Sequence, residues 1–153
     1  MLMHRTQRNI IAIAISLLIS FSATAENEKR TPIEEFRGTS QFQLLKCKLE
    51  TRLAFLKVES GELKELEVYS SISDCQREAR SELKKLFPKA NASVAKKPSA
   101  SKLLKDYYAA CLAALDGISP GSSELKFAYE KRQDEASRKV DEIWNRFEIE
   151  AGL

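Results

Sequence analysis

Histidine is nearly missing from this chain of 153 residues; the single one is His4. If the N-terminus is removed, no histidine remains. With it go the commonest general base, the commonest zinc ligand, every Ser-His or Cys-His pair and haem ligation through imidazole. Glycine is also scarce, five in all and scattered, so there is no glycine-rich loop to cradle a phosphate. The three cysteines form no Cys-x-x-Cys, and three thiolates without histidine make an incomplete zinc set. No catalytic residue, cofactor site or metal site is expected. The longest apolar run, residues 10–21, falls short of the roughly 20 residues a spanning helix needs. No segment alternates apolar and polar residues over a strand length.

The first residues carry His4, Arg5 and Arg8 and no acid, followed by the apolar run and then Ser22-Ala23-Thr24-Ala25. A basic start, a short apolar stretch and an A-x-A site together read as a signal peptide, residues 1–25, cleaved to leave Glu26 first. The expected location is therefore the periplasm or the medium, with no stable membrane insertion after cleavage. The leader takes two of the 25 basic residues and none of the 22 acids, which leaves the mature part at +1. Near-neutral charge gives no electrostatic reason to expect a nucleic-acid partner.

Residues 26–153 suit one domain, and helical periodicity runs through them. Thr31-Pro32-Ile33-Glu34 combines a capping residue, a proline suited to the first helical position and a capping-box glutamate. Gly38-Thr39-Ser40 predicts a break before a longer helix from about residue 41. That helix is expected to bury Phe42, Leu45, Leu49, Leu53 and Leu56, with Ser60-Gly61 ending it. A second helix over 62–86 carries Leu63, Leu66, Tyr69, Ile72, Cys75, Ala79, Leu83 and Leu86 on one face, with Ser70–Ser73 as its weak point. Phe87-Pro88 predicts a stop and a polar loop over 88–100. The third helix, 101–116, has a broad stripe of Leu103, Leu104, Tyr107, Tyr108, Cys111, Leu112 and Leu115. The fourth, about 122–151, would bury Leu125, Tyr129, Ala136, Val140, Ile143, Trp144 and Phe147, with Asp134–Arg138 and Glu135–Lys139 paired on its surface. The class is all-α, a small up-and-down bundle of about four helices.

In an oxidising compartment, three cysteines imply one disulfide and one thiol left over. Cys47 and Cys75 are equally far from Gly61, so a hairpin there brings them level; packing the second helix against the third does the same for Cys75 and Cys111. The alanines around Cys111 favour close approach, which makes Cys75–Cys111 the first expectation and Cys47–Cys75 the alternative.

Tyr107, Tyr108 and Trp144 continue core stripes and read as packing residues. The carboxylate clusters at Glu34-Glu35, Glu62/Glu65/Glu67 and Asp134-Glu135 lack the spacing of a Ca²⁺ loop and sit beside cations. The leading expectation is a non-enzymatic exported protein that binds an unidentified protein through a helix face. Leu44, Phe55 and Val58, off the expected core stripe, are the residues assigned to that face. The alternatives are a carrier holding a lipid or small apolar ligand between helices, and an enzyme working with carboxylates alone.

Overall fold

The computed structural model describes residues 30–121 and 124–153, which form four helices with no strand among the described residues. They are α1 (Pro32–Glu59), α2 (Glu65–Ser93), α3 (Pro98–Asp116) and α4 (Lys126–Ala151). The leader 1–25 lies outside the described residues. Side-chain contacts set the directions. Phe36 meets Phe87, Cys47 meets Cys75 and Phe55 meets Tyr69, so α1 and α2 run antiparallel. Phe87 stacks on Tyr108, and the Gln76 amide donates to the Leu115 carbonyl, which makes α2 and α3 antiparallel too. Tyr107 packs on Trp144 and Gln133 donates to the Gly117 carbonyl, so α4 returns along α3. Ion pairs from Arg37 to Asp141 and from Lys48 to Asp134 join α4 back to α1. The result is the up-and-down four-helix bundle expected from periodicity.

The capping box forms as read: Thr31 Oγ1 accepts from the Glu34 N–H at 3.2 Å, and the Glu34 carboxylate accepts from the Thr31 N–H at 2.7 Å. The predicted break at 38–40 does not occur. Ser40, instead of capping a new helix, donates to the Phe36 carbonyl one turn back at 2.8 Å, and the Tyr107 hydroxyl sits 2.7 Å from it. Gly61, at φ +78°, makes the predicted turn in a conformation that suits glycine. α2 passes unbroken through Ser70–Ser73, because Ile72 and Cys75 are buried there.

The expected loop 88–100 shrinks to 94–97. Pro88 lies inside α2 on its exposed side, as does Lys84, whose carbonyl loses its helical partner to the missing N–H. Ala90 and Val94 are buried beyond it, so core packing carries the chain past the proline. Lys97 then donates to the Ala151 carbonyl at the end of α4, a cation on the negative end of a helix. The expected start of α4 at 122 lies outside the described residues; the helix begins at Lys126, after Glu124, which Arg132 ties down. Its guanidinium donates to both Glu124 carboxylate oxygens and to the Gly117 and Ser119 carbonyls. That pairing, helped by the Gly121 N–H, pulls the Glu124 carboxyl down to about 2. Asp134 pairs with Lys48 and Glu135 with Lys131, in place of the Arg138 and Lys139 partners expected from spacing.

The core has two parts. Phe36, Leu83, Leu104, Tyr107, Trp144 and Phe147 fill one, and Cys47, Val68, Ile72, Cys75, Leu115 and Ile118 the other. The disulfide joins Cys47 to Cys75, with Cα atoms 5.7 Å apart, and Cys111 is left as a buried thiol. The first expectation, Cys75–Cys111, is therefore corrected in favour of the alternative. The physical reason is that Cys75 faces α1, level with Cys47 across the hairpin at Gly61. Cys111 lies in the other part of the core, beside Tyr107.

Candidate functional site

α1 is the element whose faces run against ordinary amphipathic design. The side turned to the core presents Ile33, Phe36, Ser40, Gln43, Cys47, Thr51 and Ala54. Beyond Ile33 and Phe36 in the first turns, these are small or polar. Two buried atoms there, Gln43 Oε1 and Thr51 Oγ1, have no hydrogen-bond partner among the described residues. The opposite side carries Phe42, Leu45, Leu49, Leu53 and Leu56, each between 50% and 62% exposed. Five large apolar side chains along one helix form a patch on the order of 500 Å², at the upper end of what a monomer leaves uncovered.

This reverses the expected orientation of the helix. The stripe predicted to be core is outside, while Leu44, Phe55 and Val58, predicted to form a partner face, are half-buried and packed against the core. Phe55 meets Tyr69 edge-on, with ring centres 6.4 Å apart. Other exposed apolar residues, Leu125, Phe127, Ile149 and Leu153, lie near the ends of α4 and do not extend the stripe along α1.

The stripe is bordered by charge. On the α2 side Lys46 pairs with Glu78 at 2.8 Å, and that contact raises the lysine pKa. On the α4 side Lys48 lies 3.6 Å from Asp134. Nearer the start of α1, Arg37 stacks over Trp144 at 4.6 Å and Tyr107 at 5.6 Å, and reaches Asp141 at 3.4 Å. These contacts fix the rotation of α1 about its own axis. They hold the large apolar face toward solvent.

The remaining thiol offers no nucleophile. Cys111 is fully buried, and burial pushes its pKa up to about 11, outweighing the hydrogen bond with Tyr107. Burial likewise raises Tyr107 above the ordinary phenol range. Both are protonated at neutral pH, and the thiolate is the reactive form. Among the described residues no group of three or more His, Cys, Asp and Glu side chains is placed to hold a metal ion. No described helix is long and apolar enough to cross a membrane. An open groove runs beside α4, lined by Phe127, Glu130, Lys131, Asp134, Arg138 and Asp141. Most of its lining residues carry charged ends, and it is open to solvent, unlike the enclosed pocket of a typical small ligand. Tyr107, Tyr108 and Trp144 are packing residues as expected, with Tyr108 stacked on Phe87 at 4.5 Å.

The chain matches no protein-family model, no curated protein and no solved structure.

Proposed function

We propose that this is an exported, non-enzymatic helical protein that binds another polypeptide through the outward face of α1. The observation that carries the reading is the inversion of that helix, with unpartnered polar atoms inside and five large apolar side chains outside. A helix selected only to stabilise a monomer would gain by exchanging the two faces. Retaining the apolar face in solvent has a physical rationale where a second surface covers it. Export is supported by the signal-like leader, and a disulfide between Cys47 and Cys75 suits an oxidising compartment. A lipid carrier or a carboxylate enzyme has less behind it. The groove beside α4 is open rather than enclosed, and Asp134 and Asp141 are each paired with a cation from α1.

The test is a photoactivatable side chain in place of Leu45, with Lys105 on the exposed side of α3 as the control position. Irradiation in the native compartment should give a covalent adduct to a polypeptide from position 45 and not from 105. Equal labelling at the two positions, or none at 45, would overturn the reading.

A further inference from the structure

The outward face of α1 has a symmetry that the fold does not require. Leu49 is its centre; Leu45 and Leu53 stand four residues to either side, and Phe42 and Leu56 seven to either side. At 1.5 Å per residue the stripe is about 21 Å long and reads the same from both ends. A helix face with this spacing is complementary to itself when two copies lie antiparallel. Phe42 of one then faces Leu56 of the other, Leu45 faces Leu53, and Leu49 meets its own copy on the two-fold axis. That is the self-complementarity an isologous dimer needs.

We propose that the polypeptide covering this face is a second copy of the same chain, packed antiparallel with its two-fold axis at Leu49. The proposal rests on the binding role given to α1 above. Charge supports it on both edges of the stripe. On the α2 side, Glu50 of one copy falls about 3 Å along the axis from Lys46 of the other, within reach of an ion pair. On the α4 side, Lys48, the partner of Asp134, stands about 3 Å along the axis from Arg52 of the second copy, so Asp134 can reach both. Each edge thus brings an acid of one chain beside a base of the other. Asp134 is 71% exposed and so free to take a second partner. Two such patches would bury on the order of 1,000 Å² in total, which reaches the lower limit of a specific interface. The association is therefore expected to be reversible and dependent on concentration.

Sedimentation and directed crosslinking test this together, using protein recovered from the cell compartment in which it accumulates. The parent chain should pass from monomer to dimer as its concentration rises toward about 100 μM, a range set by the modest area. Under mild oxidation Leu49→Cys should crosslink to itself. A mixture of Phe42→Cys and Leu56→Cys should give the mixed dimer, with Phe42→Cys alone giving no more than a Lys105→Cys control. A parent that stays monomeric throughout overturns the proposal, and needs no variant to fold. Self-crosslinking of Phe42→Cys with none at Leu49→Cys overturns the antiparallel arrangement. If the parent is monomeric while the photoactivatable position 45 still captures a polypeptide, the binding role stands and self-association falls. If neither occurs, both fall.

Discussion

Thr51 is 2% exposed and Gln43 5% exposed, and an unpartnered oxygen on each is shut away from water in the core. Each such atom loses its hydration without a replacement, at a cost of about 1–3 kcal/mol. Removing the polar atom while keeping the shape should therefore help. Thr51→Val is expected to stabilise the domain by about 1 kcal/mol, read as a higher urea midpoint followed by the fluorescence of Trp144. A lower midpoint would mean that the hydroxyl has a partner and that α1 faces another way. The leftover thiol is Cys111, buried and protonated beside Tyr107. Neither Thr51 nor Gln43 was legible in the sequence as a core residue. Polar type argues for the surface, and only the rotation of the helix overrules it.

At the scale of the element, α3 was the most legible part of the chain and α1 the least. Leu104, Tyr107, Cys111 and Leu115 repeat in one buried stripe, and no competing stripe exists on that helix. α1 carries two stripes, and periodicity marks each face without saying which one is inside. The missed signal was Cys47. It stands about 160° around the helix from Leu49, so pairing it with Cys75 would have turned Leu49 outward. A Cys75–Cys111 bridge would leave the rotation of α1 to periodicity alone, which does not distinguish its two stripes. The loop over 88–100 failed for a different reason: a proline on the exposed side of a helix costs one hydrogen bond, and the burial of Ala90 and Val94 outweighs it. The disulfide is directly testable here. It closes a segment of 28 residues, for which chain entropy gives about 3.5 kcal/mol. Reductant should lower the melting temperature of the parent and of Cys111→Ala alike, and should leave Cys75→Ala unmoved. A Cys111→Ala protein that no longer responds to reductant would move the bridge to Cys111.

Taken as a whole, the molecule is four helices whose order and antiparallel course follow from turns at Gly61, 94–97 and Gly117, most of them readable in advance. Its candidate site was not readable, because it depends on which way one helix faces. That rotation is set by contacts between distant residues: the Cys47–Cys75 bridge, Arg37 over Trp144, and the ion pairs of Lys46 and Lys48. Both the binding role and the dimer require the Leu49 side of α1 to lie outside the core. The most direct measurement is the unfolding free energy of Leu49→Glu, by denaturant titration of Trp144 fluorescence at submicromolar protein, where any self-association is diluted out. A charge on an outward position should change it by no more than about 0.5 kcal/mol. A loss of several kcal/mol, or failure to fold, would mean that Leu49 lies in the core and would contradict the orientation of α1.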